Sequence, residues 1–151
     1  RVKDDRGLES HQRVNQKMIL RDLIKLHEGV ESHAYKCSQN KITIGVGRNI
    51  DPTGLGLSPD EIDYLLDNDI ARCIAELGQF SWFENLSETR RFAVIDMNFN
   101  LGITRFKGFK KAIAAMSISD FDTAADEFFD SRWAKQVGNR AITICEMIRG
   151  N

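Results

Sequence analysis

LHEGVESHAYKCSQNKITIGVG, residues 26–47, is the stretch on which the reading of this chain turns. It opens at the end of an apolar-periodic run, with Val14, Met18, Ile19, Leu23 and Leu26 on one helical face. Gly29 follows and supplies the left-handed residue that ends such a helix. Glu28 therefore stands at a helix C-terminus, where the macrodipole disfavours a carboxylate unless a cation compensates. His33-Ala34-Tyr35-Lys36-Cys37 reads as a strand, and Ser38-Gln39-Asn40 is turn chemistry. The β-branched segment Lys41 to Gly47 is expected to pair back as a hairpin. Gly45 and Gly47 carry no side chains, which points to close approach by a backbone or a ligand. Asp51-Pro52-Thr53-Gly54-Leu55-Gly56 reads as a loop.

The rest of the chain is helical in pattern. Ser58-Pro59-Asp60-Glu61 combines an N-cap, a proline at the first helical position and a capping box. It starts a helix predicted over about 58–77, with Ile62, Leu65, Leu66, Ile70, Ile74 and Leu77 on one stripe and Gly78 as its stop. At 1.5 Å per residue such a helix is about 30 Å long, enough to join two lobes. Ser87 is expected to cap a helix over 88–100 bearing Phe92, Ile95 and Phe99, and residues 104–117 present Phe106, Phe109, Ile113 and Met116. Ser119 is expected to cap 120–130, Trp133 and Val137 mark a short element, and Asn139 caps a last helix bearing Ile142, Cys145 and Ile148. The expected fold class is α+β and mostly helical.

Bulk properties narrow the function classes. The chain has 151 residues, 42% apolar and 28% charged, which suits one packed soluble domain. No apolar run approaches the roughly 18–20 residues that span a bilayer, and the polar residues 1–12, read as a leader or linker, contain no signal-peptide core. The sequence does not begin with Met, which suggests a piece of a longer or processed chain. Net charge is −1, divided as +3 over residues 1–57 (ten basic, seven acidic), −5 over 58–79 (one basic, six acidic) and +1 over 80–151 (ten basic, nine acidic). This is not the basic field of a nucleic-acid binder, and steering onto an anionic surface is expected to be weak. Cys37, Cys73 and Cys145 form no CxxC pair, and His27-Glu28 has no second histidine four residues on, so no metal or cofactor is expected. Cys73 and Cys145 lie in apolar helical patterns and read as buried small hydrophobes.

Three polar groups are spaced Glu28–x8–Cys37–x5–Thr43. Leu26-His27-Glu28-Gly29, Tyr35-Lys36-Cys37 and Thr43-Ile44-Gly45-Val46-Gly47 together resemble the signature of phage-type (T4-like) lysozymes, glycoside hydrolase family 24, whose pattern is Glu–x8–Asp or Cys–x5–Thr. Met97-Asn98-Phe99-Asn100-Leu101-Gly102 is similar to that family's Phe-Asn/Gln-x-Gly turn. Ser131-Arg132-Trp133 and Asn139-Arg140-Ala141 are similar to its C-terminal block. The resemblance covers roughly residues 18–150 in order.

It implies a bilobed lysozyme-like fold. A β-hairpin lobe over about 28–57 and a helical lobe over about 80–151 are joined by the helix at 58–77, all within a catalytic domain at 13–151. It also implies hydrolysis of the β-1,4 bond between N-acetylmuramic acid and N-acetylglucosamine in peptidoglycan, with inversion. Glu28 would protonate the leaving oxygen. Cys37 would stand on the opposite side, with Thr43 holding a water. Phe99 and Asn100 would line the saccharide cleft, and Arg140 would reach the acid and offset the helix-end dipole at Glu28. Arg48 falls where the family often has His, and a pairing with Asp69 is expected.

Many members carry Asp at the position of Cys37. The thiol is then a working substitute, a weaker water-orienting group, or a bystander to Glu28 acting alone as in lytic transglycosylases. The expected setting is a phage virion, as part of a larger lytic protein, or an infected host, with action on periplasmic peptidoglycan and a monomeric isolated domain. Without the resemblance, Glu28 is a solvated helix end, Cys37 a half-buried strand residue and Thr43 a strand filler. Likewise Phe99-Asn100 is a helix exit, Arg140 a surface cation, and Arg90-Arg91 and Lys110-Lys111 solvated faces. Two alternatives from other classes remain, a catalytically weak peptidoglycan-binding module and a purely structural helical domain.

Overall fold

The computed structural model describes residues 19–150. The leader at 1–12, and Val14 and Met18 of the first apolar face, lie outside the described residues. The chain divides between Glu61 and Ile62 into two compact units, a small one carrying the sheet and a larger helical one.

In the first unit, helix α1 runs over 19–28 and stops at Gly29, whose φ of +78° is left-handed and whose amide donates to the Lys25 carbonyl at 2.9 Å. The sheet is antiparallel in the order β1 (Glu31–Lys36), β2 (Ile42–Gly45), β3 (Arg48–Asn49). Tyr35 lies opposite Thr43, and Thr43 lies opposite Asn49. The expected single strand Lys41–Gly47 is thus two strands and a turn. Gly45 and Gly47 have φ of +69° and +72°, which a β-branched chain cannot hold, and the backbone reverses there. Beyond β3 the loop is closed on the sheet. Asn49 Oδ1 accepts from the Asp51 amide at 3.0 Å, and Asp51 Oδ2 accepts from the Ile42 amide at 2.5 Å.

Helix α2 (Pro59–Leu77) begins as the sequence requires. Ser58 Oγ accepts from the Glu61 amide at 3.3 Å, and the Ser58 amide donates to Glu61 Oε2 at 2.8 Å. Its apolar stripe is buried only toward the C-terminal end: Cys73 and Leu77 are enclosed, whereas Ile62, Leu65 and Leu66 are exposed.

The helical unit continues through a 3-10 turn at Phe83–Asn85 to α3 (Glu88–Leu101), α4 (Ile103–Phe106), α5 (Lys110–Ser117), α6 (Phe121–Phe129), α7 (Arg132–Val137) and α8 (Asn139–Arg149). Its core joins the aromatic set Phe83, Phe106, Phe128 and Trp133 to small residues Ala93, Ala112, Ala124, Ala125 and Ala141 that let helices approach closely. Asn98 is the buried polar member. Its Nδ2 donates to Glu76 Oε2 at 2.8 Å and to the Cys73 carbonyl at 3.4 Å, tying α3 to α2.

Four local expectations change here. The buried face of α3 is Ala93, Val94, Met97 and Asn98, leaving Phe92 56% exposed. The predicted helix 104–117 breaks between Phe106 and Lys110 into α4 and α5. Asp120 rather than Ser119 caps α6, its Oδ1 accepting from the Thr123 amide at 3.2 Å, because Ser119 is left-handed at φ +59°. Gly138, not Asn139, holds the N-cap position of α8.

Nor are Arg90 and Arg91 a plain solvated face. Arg90 Nε donates to the Ile148 carbonyl at 2.7 Å and Nη2 to the Arg149 carbonyl at 3.1 Å, and its guanidinium lies 3.8 Å from the Phe121 ring centroid. It neutralises the carbonyl end of α8 from 58 residues away. A Cβ at Gly150 would fall 2.8 Å from Arg90 Nη2, so a side chain there would have to shift the guanidinium. Arg90→Ala is expected to destabilise the protein by about 2 kcal/mol in urea unfolding, from the lost charge-assisted hydrogen bonds. Arg91→Ala, which removes a partner of the largely exposed Glu84, should cost under about 1 kcal/mol.

Candidate active site

Glu28 is the last residue of α1 and is exposed. Its carboxylate lies against the turn between β2 and β3: a Cβ added at Gly47 would sit 3.2 Å from Glu28 Oε2. The glycine is required by its positive φ, and a Cβ there would also press on the carboxylate. Nothing lies within 4 Å of the corresponding point at Gly45, so there the requirement is conformational only.

Cys37 follows β1 directly and opens the turn to β2. Its amide donates to the Lys41 carbonyl at 3.0 Å, and the Asn40 amide donates to its carbonyl at 2.8 Å, with Asn40 left-handed at φ +60°. This curl brings backbone amides round the sulfur. The Lys41 amide first, then that of Gln39, lowers the thiol below its ordinary range; partial burial opposes them, and the Thr43 hydroxyl adds a smaller lowering. Thr43 is itself buried in the middle of the sheet, and its Oγ1 also lies 3.1 Å from the Lys41 carbonyl. The first unit thus contains all three members of the Glu–Cys–Thr spacing. Cys37 and Thr43 flank the turn at Lys41, whose carbonyl accepts from both the Cys37 amide and the Thr43 hydroxyl, and Glu28 rests on the turn between β2 and β3.

Phe99, Asn100 and Arg140 belong to the helical unit. Phe99 and Asn100 lie exposed at the end of α3. Asn100 is not loose: Trp133 Nε1 donates to its Oδ1 at 2.9 Å. Arg140, in the first turn of α8, donates through Nε to Asp96 Oδ1 at 2.8 Å and through Nη2 to the Asp96 carbonyl at 3.4 Å. Asp96 and Trp133 are therefore partners of candidate residues that the sequence reading did not pair. The spacing Asp96–Phe99–Asn100 on one helix face was the available signal.

The expected Arg48–Asp69 pair does not form. Arg48 makes a two-pronged contact with Glu61, Nη1 to Oε2 at 2.8 Å and Nη2 to Oε1 at 2.7 Å, and Asp69 pairs instead with Arg72 one helical turn away. Two grooves of about 500 and 410 Å³ border Phe109, Arg132 and Trp133 in the helical unit; neither is lined by Glu28, Cys37 or Thr43. Among the described residues no three His, Cys, Asp or Glu side chains are grouped to hold a metal ion, and no helix is long and apolar enough to cross a membrane.

A mostly helical α+β fold with an acid at a helix end, beside a glycine turn and a polar hairpin, fits the lysozyme class. The phage lysozyme family model matches residues 25–146. The chain belongs to that family of peptidoglycan-hydrolysing glycosidases. It is similar to probable T4-type lysozyme 1 of Dictyostelium discoideum, 22% identical, with 85% of this chain and 92% of that protein covered. Probable T4-type lysozyme 2 of the same organism is 25% identical over 84% and 93% of the two chains. An endolysin of Acyrthosiphon pisum secondary endosymbiont phage 1 is 28% identical over 78% and 80%.

The cysteines provide a direct check on the hairpin. Burial raises the thiols of Cys73 and Cys145, while Cys37 is half-exposed and lowered. Because the thiolate is the nucleophile, iodoacetamide at neutral pH should label Cys37 alone in the native protein, faster than a free cysteine. Peptide mapping by mass spectrometry reads this. Equal labelling of all three would contradict the arrangement.

Proposed function

We propose that the chain is a muramidase that hydrolyses the β-1,4 bond between N-acetylmuramic acid and N-acetylglucosamine with inversion. The observation that carries this reading is the Glu28 carboxylate at the end of α1 beside the open face of Gly47, in the unit that also carries Cys37 and Thr43. A glycosidic oxygen is a poor leaving group and needs a positioned proton donor as the bond breaks. Glu28 serves as that acid. The oxocarbenium-like transition state then needs a negative group or an activated water on the opposite face. Cys37 supplies it, helped toward thiolate by the amides that surround the sulfur. Thr43 orients the water or the thiol. Phe99 and the Trp133-held Asn100 bind saccharide.

The thiol in place of the commoner carboxylate favours one second reading, a lytic transglycosylase in which Glu28 acts alone. The relatives that include a phage endolysin support a phage lytic module acting on the host's peptidoglycan, either free or carried in a virion protein. The near-neutral net charge suits tethered delivery better than electrostatic steering.

Glu28→Gln should lower turnover by about 10²–10⁴-fold and abolish clearing of permeabilised Gram-negative cells. Undiminished clearing would end the assignment. Mass spectrometry of digested peptidoglycan should give reducing-end muropeptides, whereas 1,6-anhydro products would establish the transglycosylase. Cys37→Ala should lose at least about tenfold in turnover if the thiol takes part.

A further inference from the structure

The turn that receives the Glu28 carboxylate is intrinsically soft. Gly45 and Gly47 bracket it, both left-handed, and glycine is the residue with the most backbone freedom. Its downstream end is nonetheless tied at two levels. The backbone of Arg48, the next residue after Gly47, is paired with Ile44 across the turn. The side chain of Arg48 reaches forward. Nη1 donates to the Gly56 carbonyl at 3.0 Å and to Glu61 Oε2 at 2.8 Å, and Nη2 donates to Glu61 Oε1 at 2.7 Å.

Glu61 is in turn fixed by the capping box of α2, its Oε2 also accepting from the Ser58 amide. The guanidinium fork thus connects the first turn of a regular helix to the residue beside Gly47. Side chains of both partners are a third or more exposed, 34% and 38%, so the pair contributes little to global stability. What a two-pronged fork provides at such a site is a fixed orientation.

We propose that Arg48 is a positioning residue for Glu28: its fork to Glu61 and Gly56 fixes the Gly45–Gly47 turn on which the Glu28 carboxylate rests. This deepens the muramidase reading and depends on Glu28 being its acid. A small displacement of a proton donor is costly to turnover and nearly neutral to binding, because near-attack geometry enters the chemical step. The contact is specific to arginine. A lysine at 48 keeps the charge but has neither the planar fork nor a second prong for Gly56.

The test compares Arg48→Lys, Glu61→Gln and the double variant on soluble, uncross-linked peptidoglycan chains, with thermal unfolding measured in parallel. Arg48→Lys and Glu61→Gln should each lower kcat about tenfold, leave KM within about twofold and move the unfolding midpoint by no more than about 3 °C. The double variant should be no slower than the worse single one, because both remove the same fork. Ser58→Ala separates helix capping from positioning: it should lower the midpoint and leave kcat unchanged. Wild-type kcat in Arg48→Lys, or losses that simply follow the folded fraction, would overturn the proposal. If Glu28→Gln is as active as the wild type, the muramidase reading fails first and the positioning role falls with it. If Glu28→Gln is inactive and Arg48→Lys is not, only the positioning role fails.

Discussion

The first unit depends on one close approach, that of the Glu28 carboxylate to the side-chain-free face of Gly47. A helix end and a hairpin turn meet there, so that a methyl group on Gly47 would press on the carboxylate. The local sequence serves that meeting from both sides. Gly29 stops α1 so that Glu28 is its last residue, and the left-handed glycines reverse β2 into β3 instead of letting the strand continue. The tight curl after β1 then presents Cys37 to the amides of Gln39 and Lys41. Each of these is a backbone requirement, and side-chain chemistry is placed by it.

The helical unit follows a different rule. Its helices are short, and alanines at Ala93, Ala112, Ala124, Ala125 and Ala141 let them pack against a shared aromatic centre. Polar contacts sit at the seams. Asn98 links α3 to α2, Asp96 links α3 to Arg140 on α8, and Arg90 closes the far end of α8. Three polar side chains of α3, Arg90, Asp96 and Asn98, therefore carry cross-helix links, which is why its apolar face is narrower than its composition suggests.

Much of this was legible in the sequence where chemistry is local. The capping box at Ser58–Glu61, the stops at Gly29 and Gly78, and the burial of Cys73 and Cys145 each follow from a few adjacent residues. The hairpin was visible but its third strand was not, because two glycines in a β-branched run read equally as strand or turn until φ is known. Long-range pairings were not legible. Arg48 had acidic candidates along the whole first half of α2, and only the loop path from β3 selects Glu61 over Asp69. The α3 face is not legible because Phe92 outweighs Ala93 in any hydrophobic pattern, whereas helix–helix packing favours the smaller residue. The Glu–Cys–Thr spacing was legible as a motif, and its residues do lie together in one unit, but spacing alone contains no information on Asp96 or Trp133 as partners.

The position of α8 also bears on the order in which the two units are made. The sheet joins strands that are neighbours in sequence, so its contacts close over short loops and form as soon as residue 49 is available. The helical unit instead waits for its last helix: α8 packs on α3, α6 and α7, and Arg90 finds its carbonyl partners only at Ile148 and Arg149. During synthesis the sheet can form early, while α3 and α6 hold an open apolar face until α8 emerges. Folding of the helical unit is in this sense gated by α8.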